Sequence, residues 1–294
     1  MQRMLFDGFE PMADRVAPFK TQLLKWIGSK QRLAHRIIAY FPERFDRYIE
    51  PFLGSGGVLA TLAPKRAIGS DVFEPLIEIW QTLHDSPETL KAWYASRRSR
   101  MMRGEKVAEY EKIKASYNAR PNGADLLFLC RSCYGGVVRF RKADGFMSTP
   151  CGAHTPIDSV AFASRVDEWR RRTAGARFVA MDYVNAMDKA KRGDLIYCDP
   201  PYKDTQKILY GAQAFELTRL FDAIRDCKRK GAYVALSIDG TKRSGEFVCP
   251  VAVPKGLFER EVFVSCGRSM LRRFQMGGQT LEREAVADRL LLTY

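Results

Sequence analysis

Short apolar runs recur along this chain, bounded by turn residues. They alternate with longer stretches whose apolar positions fall at helical spacing. The runs predict strands at Tyr48–Phe52, Ala67–Asp71, Arg177–Met181, Leu195–Cys198, Tyr233–Ser237, Glu261–Ser265 and Leu290–Thr293. The spaced stretches predict helices at Gln31–Tyr40, Leu76–Leu83, Val160–Arg172 and Phe215–Lys230. Phe215, Leu217, Leu220, Phe221 and Ile224 make the clearest apolar stripe, and Asp158 or Ser159 caps the third helix. Strands alternating with helices predict an α/β fold built on one sheet.

The second and third predicted strands lie about a hundred residues apart, far beyond an ordinary crossover connection. That gap predicts a small, mainly helical insert over residues 85–158. The expected layout is an N-terminal extension over 1–20, a main α/β domain from 21–84 and 159–294, and the insert between its halves. Charge singles out the insert. The 294-residue chain carries 48 Lys+Arg against 34 Asp+Glu, a net charge of +14. Residues 91–150 alone hold thirteen basic and five acidic residues, a net +8. Such a concentration predicts a surface for a polyanion, with strongly salt-dependent binding.

Composition narrows the class further. With 46% hydrophobic and 28% charged residues the chain is an ordinary globular protein and not a disordered one. No apolar run approaches the ~18 residues of a membrane span. Asp7, Glu10, Asp14 and Arg15 break the N-terminal apolar residues, which argues against a signal peptide and for the cytoplasm. Seven cysteines then read as thiols. Cys130-x-x-Cys133 lacks the second pair a zinc ribbon needs, and His35, His84 and His154 have no ligand spacing. No metal is expected.

Two motifs carry chemistry. In Glu50-Pro51-Phe52-Leu53-Gly54-Ser55-Gly56-Gly57 a strand runs into a glycine-rich turn that opens a helix. A phosphate-binding loop would need Gly-Lys-Ser/Thr at its end, but Val58 and Leu59 follow. A dinucleotide fingerprint needs a small residue where Leu59 stands. The surviving reading is an adenosyl group without phosphates, as in S-adenosylmethionine. Asp71, closing the next strand, suits ribose hydroxyls.

The second motif is Asp199-Pro200-Pro201-Tyr202, delivered at the carboxyl end of an apolar strand. Two prolines stiffen the turn and leave its carbonyls free to accept. A carboxylate and a carbonyl that accept both N–H bonds of an exocyclic amine orient its lone pair for methylation. The Tyr202 ring offers a face for a flipped base.

In combination these residues resemble the Dam-like, adenine-specific DNA methyltransferases. Asp199-Pro200-Pro201-Tyr202 matches that family's catalytic tetrapeptide, and Glu50 to Gly56 resembles its cofactor loop. Leu24-Lys25-Trp26-Ile27-Gly28-Ser29-Lys30 is similar to its N-terminal signature, with Ser29 replacing a usual glycine. The motifs occur in the family's order over about residues 20–294.

The resemblance implies a class I methyltransferase-like (Rossmann-like) fold: a seven-stranded, mostly parallel sheet with helices on both faces, plus the insert as target-recognition domain. It implies catalytic roles for Asp199, Pro200, Pro201 and Tyr202. For S-adenosylmethionine it implies Lys25, Trp26, Gly28, Lys30, Glu50, Pro51, Phe52, Gly54, Ser55, Gly56, Asp71, Asp182 and Asp199. Arg131 to Lys142 resembles the family's DNA-recognition hairpin, which assigns DNA contacts to Arg131, Tyr134, Arg139, Arg141 and Lys142. Gly135 stands where relatives often carry Asn. Arg268, Arg272, Arg273 and the Gly277-Gly278 turn suggest a further DNA loop, with Arg272 as its contact.

The implied reaction moves a methyl group to N6 of a flipped adenine in duplex DNA. The enzyme would be a monomer or weak dimer of bacterial or phage origin, either solitary or paired with a restriction endonuclease. Cytosine N4 in DNA and adenine N6 in RNA stay open as targets. A non-catalytic DNA-binding subunit is the rival from another class.

Overall fold

The computed structural model describes residues 14–141, 143–201, 215–242, 247–248, 251–268 and 285–294. Its innermost strands are short apolar runs. β1 (Tyr48–Glu50) and β4 (Leu195–Cys198) are buried at every position, as strands covered on both faces must be. The others are β2 (Ala67–Asp71), β3 (Ala176–Ala180), β5 (Tyr233–Lys242), β6 (Phe247–Val248), β7 (Arg260–Arg268) and β8 (Ala285–Leu292). Seven form one sheet in the order β3-β2-β1-β4-β5-β8-β7, and the two-residue β6 pairs beside β5. From β3 to β5 all neighbours are parallel, while β8 runs antiparallel to both β5 and β7.

The chain lays down β1, β2 and β3 in one direction, then returns to add β4 and β5 on the other side of β1. The order therefore switches between β1 and β4, and such a switch opens a crevice at the carboxyl ends of the strands. Glu50 ends β1, Asp71 ends β2 and Asp199 follows β4.

Helices cover both faces. They are α1 (Ala34–Ala39), α2 (Gly57–Leu62), α3 (Glu74–Asp85), α4 (Pro87–Arg103), α5 (Lys106–Ala119), α6 (Gly123–Ser132), α7 (Ser159–Arg172), α8 (Tyr183–Asp188) and α9 (Leu217–Arg229). Leu220, Phe221, Ala223, Ile224 and Cys227 form the buried stripe of α9. Asp158 caps α7 by accepting the Ala161 N–H at 2.8 Å. The first helix starts later than its apolar spacing predicts. Gln31 is held in the preceding turn, where its side-chain amide donates to the carbonyls of Phe19 and Thr21.

The insert is helical: α4, α5 and α6 follow one another on short turns, with Glu105 and Asn122 capping the last two. It has no core of its own. Tyr94 of α4 stacks on Phe162 of α7 at 3.9 Å, and Leu90, Tyr94 and Phe128 join one buried cluster with Trp80 and Trp169. Phe19 lies in the same cluster, so the described part of the expected N-terminal extension packs onto the main body. Among the described residues no helix is long and apolar enough to cross a membrane.

Candidate active site

The glycine turn is built by close approach. Gly56 sits at φ 62°, in the left-handed region, and caps α2. A Cβ on Gly57 would stand 2.8 Å from Cβ and 2.9 Å from Cα of Gln31, so only glycine lets α2 meet the Lys30–Gln31 segment. Asp71 clamps the turn, one carboxylate oxygen accepting the Gly54 N–H at 3.1 Å and the other that of Phe73 at 3.2 Å. The buried Trp80 indole donates to the Gly54 carbonyl at 3.1 Å. Ser55 donates to Ser29 at 2.8 Å. Ser29, which stands where the family that the chain resembles has a glycine, thus ties the Leu24–Lys30 segment to the glycine turn.

These segments enclose a cavity of about 320 Å³ at the switch point. Trp26, Gly28, Lys30, Glu50, Pro51, Phe52, Gly54, Ser55, Asp71, Asp182, Asp199 and Pro201 all line it. The sequence reading missed Ser29, Tyr183, Tyr197 and Phe215, which line it too. Phe52 stacks on Tyr183 at 5.0 Å and meets Phe215 edge-on at 5.8 Å, forming an aromatic wall. Asp182 caps α8 through the Val184 N–H and pairs with Arg219 at 3.2 Å.

Two expected cofactor residues lie elsewhere. Lys25 is exposed, and its aliphatic stem runs against Gly136 of the recognition segment. Gly56 turns the chain behind the cavity, facing Trp80 and Trp169. Pro200 is buried and Tyr202 lies outside the described residues.

Lys30 is the electrostatic centre. Its ammonium is 3.1 Å from Asp199 and 3.1 Å from Asp288 of β8, and the residue is 8% exposed. Burial works against its charge, but the two carboxylates outweigh burial and hold its pKa above the usual lysine range. Asp288 also escaped the sequence reading. Its only signal there is an acidic residue inside the apolar run Val286 to Leu292.

Glu50 is 3% exposed, and burial pushes its carboxyl up to about 8. The Tyr48 hydroxyl, donating at 2.8 Å, pulls it down and the Asp199 charge pushes it up. A cation bound in this cavity would favour ionised Glu50 and expel its proton. Affinity of this cavity for a cationic ligand is therefore expected to rise between pH 6 and 8 and then level off. Calorimetry in buffers of different ionisation enthalpy should detect proton release near pH 7, and Glu50→Gln should abolish it.

The recognition segment forms a hairpin in part. The Arg141 N–H donates to the Phe146 carbonyl and the Ser148 N–H to the Arg139 carbonyl, and Phe140 bridges Met147. Val138 and Phe140 point inward while Arg139 and Arg141 are exposed together, as the strand reading expected. Tyr134 is 47% exposed and Phe146 38%. Arg131 belongs to a different structure. It is 7% exposed, and its guanidinium donates to the carbonyls of Gln22 and Leu23 at 3.1 and 2.8 Å, which removes it from the DNA-contact set. Lys142, Arg272, Arg273 and Gly277-Gly278 lie outside the described residues.

Part of the insert's charge is spent internally, because Lys91, Arg97, Lys112, Lys114 and Arg141 pair with carboxylates. Cys130 and Cys133 are buried, and burial pushes the Cys133 thiol up to about 12. Among the described residues no cluster of His, Cys, Asp and Glu is placed to hold a metal.

A cavity lined by aromatic rings and carboxylates, at the switch point of a mostly parallel sheet with an antiparallel far edge, defines a class I methyltransferase fold. The chain belongs to the D12 class N6 adenine-specific DNA methyltransferase family, whose model matches residues 26–248. It is 27% identical over 250 residues to the DNA N-6-adenine-methyltransferase of Escherichia phage P1, covering 80% of this chain and 32% of that protein. It is 27% identical over 236 residues to the Type II methyltransferase M1.LlaDCHI of Lactococcus lactis subsp. cremoris, covering 72% and 79%. The DNA adenine methylase of Vibrio cholerae serotype O1 is 26% identical over 191 residues, covering 61% and 64%. The chain thus spans about a third of the phage relative's length.

Proposed function

We propose that this protein binds duplex DNA, draws one adenine out of the stack and methylates its N6 amino group from S-adenosylmethionine. The observation that carries the reading is the meeting of Glu50, Asp71, Asp182 and Asp199 with Trp26 and Lys30 in one cavity at the ends of β1, β2, β3 and β4. About 320 Å³ falls within the usual range of small-molecule pockets, about 300–1,000 Å³. The residues fit the group. Asp71 and Asp182 suit hydroxyl and amino donors, Phe52 and Tyr183 suit a purine face, and the carboxylates suit cationic centres. When bound, S-adenosylmethionine supplies the methyl group on a positively charged sulfur.

The chain's own task is then positioning. The Asp199 carboxylate and the Pro200 carbonyl accept the N–H bonds of the target amine, which turns its lone pair toward the cavity. Tyr202 is assigned the stacking face for the flipped base. Flipping costs a few kcal/mol, which stacking and these hydrogen bonds offset. Arg139, Arg141 and Tyr134 supply the DNA contacts from the hairpin. The type II name of the Lactococcus relative supports a place beside a cognate restriction endonuclease.

Nucleoside digestion of DNA treated with the protein and labelled cofactor tests the reading. N6-methyladenine is expected, and label in N4-methylcytosine or in no base would sink it. The two arginines separate in a second measurement. Arg139→Ala is expected to weaken DNA binding and to lower the salt slope by about one counterion, leaving stability unchanged. Arg131→Ala is expected to do the reverse, lowering the urea midpoint while leaving the salt slope alone.

A further inference from the structure

Asp288 is out of character for its place. It lies in β8, between β5 and β7, so its backbone is paired on both sides. Asp is among the residues that strands disfavour. Side chains alternate along the strand, which puts Asp288 in the same row as Leu290 and Leu292. Both leucines are buried in the main core cluster, and an apolar residue would continue that row. Instead a carboxylate with 16% of its side chain exposed faces the buried Lys30 ammonium at 3.1 Å. A local rule broken inside an otherwise consistent strand points to function.

The partner shows which function. Lys30 makes its other carboxylate contact with Asp199, also at 3.1 Å. The ammonium stands between a carboxylate assigned to the target amine and one on the last strand. An ammonium held by Asp199 alone would draw electron density from that carboxylate and compete for the lone pairs the target amine needs. A second carboxylate draws the ammonium back and shares its charge.

We propose that Asp288 is a positioning residue for methyl transfer: by sharing Lys30 with Asp199, it keeps the Asp199 carboxylate oriented and available to the target amine. This rests on the methyl-transfer reading given above. Asp288 does not touch the substrate; it acts through Lys30.

The role predicts a particular pattern of rates. Asp288→Asn keeps size and shape but removes the charge. The single-turnover methyl-transfer rate is expected to fall about 10- to 100-fold, the cost of slight misplacement at a reacting centre. KM for DNA should stay within about twofold of wild type, since no DNA contact is removed. Asp288→Glu keeps the charge and alters the shape, and it should recover most of the rate. A packing role predicts the opposite ranking, with the isosteric amide harmless and the longer acid disruptive.

Thermal melting of both variants checks that each is folded at the assay temperature. An unchanged rate in Asp288→Asn, or Asp288→Glu slower than Asp288→Asn, would overturn the inference while leaving the methyl-transfer reading intact. A wild-type protein that transfers no methyl group from labelled cofactor to DNA would overturn both.

Discussion

Asp199→Ala is expected to lower the single-turnover rate of methyl transfer by about 10³-fold, within the range for a lost polar catalytic group. That corresponds to about 4 kcal/mol of transition-state stabilisation. An exocyclic amine is a poor nucleophile because its lone pair is delocalised into the ring. In the proposed reaction the carboxylate at the end of β4 accepts an amine N–H and counters that delocalisation. Alanine removes the acceptor but leaves the stiff Pro200-Pro201 turn and the strand behind it. DNA affinity, read by fluorescence anisotropy, should change by less than about threefold, because backbone contacts dominate it. A variant that binds DNA and still methylates at the wild-type rate would show that the amine is oriented by some other group.

Lys30→Met is expected to cost about 3 kcal/mol of folding stability at neutral pH, read from urea unfolding. It leaves Asp199 and Asp288 without the cation they share. Removing one partner of a buried ion pair costs about 3–5 kcal/mol, and the partial exposure of both carboxylates, 17% and 16%, places this site at the low end.

The pH dependence follows from the direction of each shift. In the wild type the Lys30 pKa is raised above its ordinary 10.5. Its contribution is therefore complete below pH 10.5 and drains only as pH climbs past that value. In Lys30→Met the two carboxylate charges repel each other. The deficit should shrink as pH falls toward about 4, the ordinary carboxylate range. A deficit that stays constant from pH 7 to pH 4 would mean that lost packing, not uncompensated charge, is its cause.

Much of the parallel half of the sheet was legible in the sequence. β4 stands at its predicted residues because a central parallel strand is a continuous apolar run, which a pattern of apolar positions registers directly; β2 also stands where predicted, although only Ala67 and Ile68 of its five residues are apolar. The antiparallel half was underestimated. β5, β7 and β8 extend beyond their apolar segments, since ladder pairing between backbones continues through polar residues such as Asp288 and Arg289.

The site divides in the same way. Motif residues at strand ends, Glu50, Asp71 and Asp199, converge because the fold brings strand ends together. Lys25 lies outside the cavity and Arg131 is buried against Gln22 and Leu23, because sequence proximity to a motif says nothing about which way a side chain leaves the backbone. Asp288 went unnoticed because its meaning lies entirely in a contact with Lys30, at the far end of the chain.

That separation in sequence bears on how the protein is made. The Thr21–Leu23 segment is synthesised early, yet it is held by Arg131, Arg165 and Trp169. Lys30 waits longer still, for Asp199 and then Asp288. At about 5–20 residues per second, translation leaves the cavity at the switch point incomplete for roughly ten to fifty seconds. During that interval the apolar wall around Trp26 and Phe52 has no finished sheet behind it. Contacts so distant in sequence also make for slow folding. The nascent chain is therefore expected to be a chaperone client until β8 is translated and inserts between β5 and β7.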